Sequence, residues 1–479
     1  MKVGTVDSPA PFAAALRRIA LWAQASEGRK GRGLALLAIA VYLPAFSNGF
    51  VWDDWIFVTE PLIRRPDGIA SIWLSPSEIR YENHYWPVVY TTFWIEHKLW
   101  GLHPVGYHTV NVVLHALNSV LVWRLLLRLA VPGAWLAAAV FAVHPVHAES
   151  VAWIIERKDL LSAFFYLGAA HAWLRFTERP APGRYMLSLA LFAAALLSKS
   201  IAVTLPAALL LLHWWREGRV TWRDAVRLAP FFVLAFSVTL ADLAFYHGRI
   251  PHAFDYTLVE RALIAARALW IYVRQIVWPS YLPVFYPRWE VHSGDILGWL
   301  ALAALVLLGA VLWLARGRTG RGPLAGALFF ALTLSPVLGF VDFRFMQIAF
   351  VADRFQYLAM IGPLAVLLGV AVHCAGRLPL RGRAGAMVVA AAALVALGAL
   401  SWRQAGIYRD DLTFARHAVA LNPHNYLSQV LLSHGLNAAF RDDEALAAAS
   451  RAVELSEGFR GSLLQNLSVD WVRLQRTHG

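Results

Sequence analysis

The sequence predicts an all-α protein that crosses a membrane about eleven times and ends in a short TPR-like helical tail. Three observations favour this class. Of 479 residues, 59% are hydrophobic and only 15% are charged, which is more apolar than a water-soluble core requires. Basic residues stand in short clusters between long apolar runs. The C-terminal part of the chain matches itself at a spacing of 34 residues.

Each transmembrane helix needs about 20 mostly apolar residues to cross roughly 30 Å of hydrocarbon. The runs that serve as candidate spans are 34–50, 110–130, 134–150, 158–175, 185–198, 200–215, 228–247, 296–314, 323–341, 356–374 and 384–402. They define a transmembrane domain over residues 34–402, which follows a basic N-terminus at residues 1–33. That basic stretch and the first run together have the outline of a signal peptide. Because so many spans follow, we interpret it as an uncleaved first helix.

The basic clusters predict the orientation of the chain. With the N-terminus in the cytoplasm, every cytoplasmic loop is basic, as the positive-inside rule requires. These loops are Arg124 to Arg128, Arg175 to Arg184, Arg216 to Arg227, Arg316 to Arg321 and Arg377 to Arg383. The net charge of +13 is therefore a topology signal and does not indicate nucleic-acid binding. The loop 51–109, with its interfacial helices, and the C-terminal tail then lie outside.

One apolar segment, 261–279, is not counted as a span. Arg267 and Arg274 would lie within the bilayer, at about 2.5–3.5 kcal/mol each. A crossing here would also place the next basic loop outside. We therefore predict an interfacial or re-entrant helix on the external face, anchored by aromatic residues such as Trp270 and Trp278.

The tail, residues 403–479, has the composition of a soluble domain. Leu412 matches Leu446 at a distance of 34 residues, and Leu421 matches Leu455, which is the TPR spacing. The alternative is a generic helical hairpin that caps the last span. Two repeats are too few for a superhelix, so the tail is at most a small docking platform. The single cysteine, Cys374, gives neither a disulfide framework nor a CxxC-type metal site.

Two adjacent carboxylates, Asp53 and Asp54, follow the first span directly and are the first candidate site residues. Acids are scarce in this chain, and a pair among Trp52 and Trp55 predicts a function. The alternative is interfacial anchoring by the two tryptophans, with the acids simply solvated. The loop that follows is rich in aromatic residues such as Tyr85, which suit lipid headgroups and also suit stacking on sugar rings.

A second polar group follows the third span at residues 144–159. The spacing of His144, His147 and Glu149 suggests a metal site, but a proline intervenes and no third ligand is forced onto the same face. We favour a hydrogen-bonded polar floor beneath the site. Its members are Glu156, Arg157, Lys158 and Asp159, which pair with one another and with the first acidic loop.

Two cations on the same predicted side, Lys199 and Arg354, suit a lipid-linked phosphate. Arginine offers a two-pronged fork and lysine a point charge. Lys199 lies at a tight bend between two short helices, and Arg354 begins the tenth span. The alternative is that each is a structural cation that reaches the membrane surface.

The order of these motifs resembles the transmembrane-and-TPR-containing protein O-mannosyltransferases over nearly the whole chain. The segments that carry the resemblance are FVWDD at 50–54, YWP at 85–87, GYHTVNVVLHALN at 106–118, HPVHAESVAWIIERKD at 144–159, SKS at 198–200, TLP at 204–206 and ADRFQYL at 352–358. The chain departs from the family at Ser200, where Glu is usual, at Trp86, where Arg is usual, and at Ala359, where Pro is common. The tail is also shorter than in the animal proteins.

The resemblance implies a type C glycosyltransferase that moves a sugar from a polyprenyl phosphate to a Ser or Thr hydroxyl on the external face. An aspartate of the pair would act as general base, and Asp54 is preferred over Asp53. Arg354 and Lys199 would bind the donor phosphate, with His147, Glu149, Arg157, Asp159, Tyr85 and Asp353 in supporting or substrate-binding roles. The partners implied are the lipid-linked sugar, membrane lipids and an acceptor protein or peptide, which the TPR tail could dock. No firm cofactor signature is present, and a divalent metal is not indicated.

Three other functions compete with this interpretation. A type C transferase that acts on a glycolipid or cell-wall glycan shares every membrane feature. A transporter is less well supported, because the spans lack paired charges at mid-bilayer and show no clear inverted repeat. A non-enzymatic scaffold would use the tail for docking. Heavy use of Ala, Leu, Arg and Trp with little Lys favours a bacterial plasma membrane, with a eukaryotic endoplasmic reticulum as the alternative.

Overall fold

In the computed structural model, residues 26–75, 78–79, 84–247 and 254–456 are described. They form α-helices and short 3-10 helices, and this part of the chain contains no β-strand. The all-α class is therefore confirmed. Most of the predicted cytoplasmic N-terminus, 1–25, the end of the tail, 457–479, and part of the first loop lie outside the described residues.

Each predicted span has a helical counterpart. These are α1 Glu27–Val41, α6 Pro104–Arg128, α7 Ala134–Val143, α9 Arg157–Glu178, α10 Pro182–Leu196, α11 Leu205–Glu217, α12 Trp222–His247, α14 Ile296–Thr319, α15 Gly322–Leu334, α16 Ile361–Gly376 and α17 Leu380–Ala405. The first loop holds α2 Asp54–Val58, α3 Pro61–Arg64, α4 Gly68–Leu74 and α5 Pro87–Trp100, and α8 Ala148–Ala152 lies between α7 and α9. The segment 261–279 forms α13 Leu258–Val277, and the tail forms α18 Asp411–Leu421, α19 Tyr426–Ala438 and α20 Asp442–Ser456.

Four of the described helices are both long enough and apolar enough to cross a membrane unaided. They are α6, α12, α14 and α17. Four others, α7, α10, α15 and α16, are apolar but shorter. The structure thus supports an integral membrane protein, while the count of about eleven spans stays a prediction.

The ends of several predicted spans are wrong, and prolines account for two of them. The run 134–150 ends as an α-helix at Val143, because Pro145 has no backbone N–H and forces an extended conformation on His144. Short helical turns then carry the chain to Glu156. Similarly, α15 ends at Leu334, just before Pro336, instead of reaching 341. At these breaks, backbone N–H and C=O groups at one end of the bundle are no longer paired within a regular α-helix.

Helix α13 begins at a capping box in which Thr257 and Glu260 each satisfy the other's backbone amide. Arg267, which argued against a span here, forms an ion pair with Asp295 at 2.8 Å, just before α14. The indole of Trp270 donates a hydrogen bond to Ala301 O on α14 at 3.0 Å. These contacts join α13 to α14. The interfacial or re-entrant position of α13 stays a prediction.

The tail packs directly on the bundle. Phe414, Ala415 and Ala418 of α18 belong to the same hydrophobic core as the buried residues of α6 and α7. Asn422 Nδ2 donates to Phe285 O at 3.0 Å, and Tyr281 Oη donates to Leu421 O at 2.8 Å. Helices α18 to α20 pack as successive antiparallel pairs. Whether they constitute TPR repeats stays a prediction.

Candidate active site

The predicted site residues gather at one end of the helical bundle, which we call the diacid end. Chain segments around residues 50–54, 144–156, 198–200, 352–357 and 405–411 meet there. Most of these segments are 3-10 turns or extended stretches that follow a helix break. Irregular backbone at such a place needs side-chain partners, since helical hydrogen bonds are missing. The polar side chains described below supply many of those partners.

An ion-pair cluster around Glu156 is the centre of this end. Glu156 Oε1 lies 3.1 Å from Lys158 Nζ and 3.4 Å from Arg354 Nε, and its Oε2 lies 3.7 Å from Lys199 Nζ. Lys199 also pairs with Asp159 at 2.6 Å. The cluster therefore brings together the two cations that the sequence assigned to a phosphate.

Glu149 completes the cluster by holding Arg354 at two points. Its Oε1 forms an ion pair with Arg354 Nη1, and its Oε2 accepts the Arg354 backbone N–H at 2.8 Å. The guanidinium also lies over the rings of Phe345 and Phe355, at 4.3 and 5.1 Å. Three cations and three carboxylates thus balance in a buried site, which is the condition under which buried charge is tolerated.

Burial alone would raise the pKa of Glu156. The charges of Lys158, Arg354 and Lys199 outweigh that effect and hold the pKa of Glu156 well below its usual range. Glu156 is therefore ionised at neutral pH. It stands at the start of α9, directly before Arg157, Lys158 and Asp159, so the helix N-terminus adds favourable partial charge.

The two aspartates of the first loop have different environments. Asp54 is fully buried, and its oxygens accept the backbone N–H groups of Val51 at 3.0 Å and Ile155 at 2.8 Å. Burial, together with the charge of Asp53, raises the pKa of Asp54 well above the ordinary range. Asp53 is partly exposed and precedes α2. The preference for Asp54 as the base stays a prediction; its carboxylate accepts two backbone amides, whereas Asp53 is the more exposed of the two.

The segment Trp153–Glu156 joins the two halves of the site. Ile155 donates to Asp54, and the next residue, Glu156, is the centre of the ion-pair cluster. Trp153 stacks on Trp52 with ring centroids 5.3 Å apart, and its ring lies 5.6 Å from the Arg354 guanidinium carbon. The aspartate pair and the phosphate-binding candidates are therefore neighbours.

Two further predicted residues lie beside the cluster without joining its ion pairs. Asp353 precedes Arg354 and accepts a hydrogen bond from Tyr286 Oη at 2.7 Å. His147 is fully buried between Phe141 and Tyr357, with ring centroids 4.3 and 4.5 Å away. Within the described ranges, no group of three or more His, Cys, Asp or Glu side chains has the arrangement of a metal site.

Arg157 and Tyr85 make their described contacts away from the Glu156 cluster. Arg157 was predicted to pair within the polar floor and with the first acidic loop, and it points to the other side of α9 from the Glu156 cluster. There it forms an ion pair with Glu96 and donates to Asn111 Oδ1 at 2.8 Å and to Tyr107 O at 2.7 Å. The partner carboxylate comes from α5 in the first loop, so Arg157 pairs with that loop, as part of the prediction held, and its described ion pair is not with the other floor residues. Tyr85 Oη donates to Trp73 O at 2.9 Å, so its side chain is directed towards α4.

A group of contacts near Lys158 was not predicted. Ser200 Oγ donates to Asp242 Oδ2 at 2.6 Å and accepts from the Trp86 indole at 3.2 Å, and His84 Nδ1 lies 3.0 Å from the same carboxylate oxygen. Trp86 and Ser200 are the residues at two positions where the chain differs from the family it resembles. They are in contact, so the two differences form one local change. The lone acid Asp242 in the apolar run 228–247 was the only sequence signal for it.

An apolar cavity of about 890 Å³ lies between α6, α9, α11, α15 and α16. Near the diacid end its wall includes Tyr166, Leu205 and Phe329; Leu205 follows Thr204 directly, and Tyr166 lies about two helical turns from Asp159. At the opposite end it is bordered by Arg321 and Arg377. The cavity therefore extends along the helices from the polar cluster towards the basic loops.

The fold and the site together define an integral membrane protein with a buried polar site at one end of its helices. Comparison with known proteins then shows what parts of the chain resemble. Residues 85–245 match the family of dolichyl-phosphate-mannose-protein mannosyltransferases. This range includes Glu149, Glu156, Lys158 and Lys199.

Individual relatives extend the match. The chain is 35% identical to protein O-mannosyl-transferase Tmtc1 of Drosophila melanogaster over 182 residues, which are 36% of this chain and 21% of that protein. It is 30% identical to TMTC3 of Mus musculus over 263 residues, which are 51% of this chain and 27% of that protein. It is 32% identical to TMTC4 of Homo sapiens over 202 residues, which are 35% of this chain and 27% of that protein. Over these parts the chain is thus similar to protein O-mannosyl-transferases, in agreement with the sequence resemblance. It matches only about a quarter of the length of these relatives.

Proposed function

We propose that this protein is a membrane glycosyltransferase. It transfers a sugar, mannose or a similar one, from a polyprenyl phosphate to a Ser or Thr hydroxyl of a protein on the external face. The observation that carries this proposal is the contact between the Glu156 ion-pair cluster and the Asp53–Asp54 loop through Trp153–Glu156. Positive charge for a leaving phosphate and a carboxylate for an incoming hydroxyl then stand side by side. The named relatives support the same reaction class.

The donor phosphate binds the cations of the cluster. Lys158 and Lys199 keep 13% and 9% of their side-chain surface exposed, and Arg354 adds a planar fork. Glu149, Glu156 and Asp159 hold these cations in position before the donor arrives. Such preorganisation makes fixed charge effective where negative charge grows during the reaction.

The lipid part of the donor occupies the apolar cavity. Its wall reaches to about two helical turns from Asp159, and its length follows the transmembrane helices. A polyprenyl chain is apolar throughout, so burying it there releases about 25 cal/mol for each Å² removed from water. The phosphate would then lie at the cluster while the chain lies among α6, α9 and α16.

In the reaction the acceptor oxygen attacks C1 of the sugar as the C1–O bond to the phosphate breaks. The bonding electrons leave with the phosphate, and the hydroxyl proton passes to the Asp53 carboxylate. The phosphate is a stable anion and needs no general acid. A single displacement of this kind inverts the configuration at C1. Asp54 acts through its hydrogen bonds to Val51 and Ile155, which position the loop.

The acceptor class can be tested by supplying the full chain in vesicles with polyprenyl-phosphate mannose labelled in the sugar. We expect label in a Ser/Thr-rich polypeptide and none in a peptide whose Ser and Thr are replaced by Ala. Label in a glycolipid or cell-wall glycan instead would assign the competing acceptor class. No transfer to any acceptor from an intact, folded protein would contradict the proposal.

The cavity gives a prediction about donor length. Ala365 lines the cavity, and Ala365→Phe fills part of it. We expect KM for a long-chain donor to rise about tenfold, corresponding to about 1.4 kcal/mol of lost binding. A donor with a chain of two isoprene units would be unaffected, because it ends near the cluster.

Ala303→Phe is the matched control, since Ala303 is exposed on α14 outside the cavity. Kinetics with both donors should leave this variant at wild-type values. An equal loss for long and short donors in Ala365→Phe would mean that the cavity does not hold the chain.

A further inference from the structure

Trp52, the residue before Asp53, has an unusual backbone conformation. Its φ is +48°, in the left-handed region that bulky residues rarely adopt. The residue that follows such a turn is displaced to a new direction, so the conformation of Trp52 decides where Asp53 points. A conformation of this kind persists only where surrounding contacts hold it.

The tail supplies the contact that holds this turn. The Trp52 backbone N–H donates to Asp411 Oδ1 at 2.7 Å, across 359 residues of sequence. The side chain of Trp55 hydrogen-bonds the same aspartate. One carboxylate at the start of α18 therefore fixes the residues on both sides of Asp53–Asp54.

Neighbouring contacts align the two segments in parallel. Asn48 Nδ2 donates to Ala405 O at 2.9 Å, and Gly49 N donates to Arg409 O at 2.8 Å. A Cβ at Gly49 would lie 3.3 Å from that carbonyl oxygen, so the two backbones are close. Residues 48–52 thus lie along residues 405–411, at the junction of the last long helix with the tail.

Aromatic packing fixes the Trp52 ring separately from the Trp52 backbone. The Trp52 ring stacks on Trp153, contacts Phe285 edge-on at 5.3 Å and lies 6.2 Å from Phe414 of α18. The ring position and the backbone position are thus fixed by different partners. The ring is held largely by the bundle, while the left-handed turn is held by Asp411.

We propose that Asp411 is a positioning residue for the transfer reaction: it accepts the Trp52 N–H, maintains the left-handed turn and thereby aims Asp53 at the acceptor hydroxyl. This inference rests on the proposed function of Asp53. It gives the start of the tail a role within the site, in addition to any docking of acceptor. Asp54 holds the same loop from the bundle side, through Val51 and Ile155.

The test compares three variants of the full chain. Asp411→Ala removes the acceptor, and Asp411→Asn keeps it because an amide oxygen also accepts N–H. Asn422→Ala removes a different contact between tail and bundle, the one to Phe285 O. We expect Asp411→Ala to lower kcat by about 100-fold through misplacement of the base, with KM for the donor unchanged. Asp411→Asn should restore kcat to near the wild-type value, and Asn422→Ala should retain it.

Hydrogen exchange gives a readout that is independent of transfer. The amide of Trp52 should lose protection by at least about tenfold in Asp411→Ala, while it stays protected in the other two variants. Unchanged protection in Asp411→Ala, or equal effects of Asp411→Ala and Asp411→Asn, would overturn the inference. A wild-type protein that transfers no sugar would refute the proposed function alone, since the exchange pattern still decides whether Asp411 holds the turn.

Discussion

Asp53→Asn should reduce sugar transfer by at least about 100-fold, because it removes the carboxylate that accepts the hydroxyl proton. Asparagine has nearly the same shape and remains partly exposed before α2, so the fold should be retained. Donor binding should change little, since the cations that hold the phosphate belong to the Glu156 cluster. Initial rates at saturating donor, with KM for donor measured in parallel, check both statements.

Two comparisons make this result specific. Asp67→Asn changes an exposed aspartate of the same loop, whose only described ion pair is with Arg65, and should leave the rate unchanged. Asp54→Asn should lower the melting temperature as well as the rate, because it loses an acceptor for Val51 or Ile155. Full activity of Asp53→Asn, with Asp54→Asn inactive but equally stable, would return the base to Asp54.

Substitution of Arg354 by Ala or by Lys should cause the second large loss of activity. Alanine leaves Glu149 and Glu156 buried beside fewer cations, a change that typically costs about 3–5 kcal/mol of folding stability. It also removes the planar fork from the phosphate site. We expect kcat to fall by about 100- to 1,000-fold, as for other removed donors that stabilise a developing charge. The loss should persist at a temperature where the variant is fully folded.

Lysine separates charge from geometry at this position. It keeps one positive charge but lacks the planar fork that faces both Glu149 and Glu156, so an intermediate loss with weaker inhibition by free polyprenyl phosphate is expected. Arg409→Ala is the control, because Arg409 lies at the same end with 74% of its side chain exposed. Wild-type inhibition by polyprenyl phosphate in Arg354→Ala would remove this residue from the phosphate site.

The helices were predictable because apolar runs between basic clusters define them directly. Their ends were less so: the run 134–150 was predicted as one span, yet the chain leaves the α-helix at Pro145 and continues as short turns to Glu156. Its freed backbone groups are satisfied by distant side chains, such as the Asp54 carboxylate that binds Ile155 N. Hydropathy carries no information about such partners.

The composition of the site was predictable, but its pairing was not. Lys199, Arg354 and Glu149 were singled out as charges that survive in apolar surroundings, and the structure brings them together. Arg157 belongs to the same sequence motif as Glu156 but pairs with Glu96, because successive residues at a helix start point in different directions. Asp411 was not singled out, because an acidic residue in the first turn of a helix is common.

The segment Trp153–Glu156 bears on how the site responds to membranes of different thickness. Bilayers differ in thickness, and helices respond by tilting. In this protein the loop with the proposed base is bound to Ile155, and the cations for the leaving group are bound to the next residue, Glu156. The Cα atoms of these two residues are about 3.8 Å apart. A tilt of α9 therefore moves Ile155 and Glu156 together and leaves the distance between them unchanged.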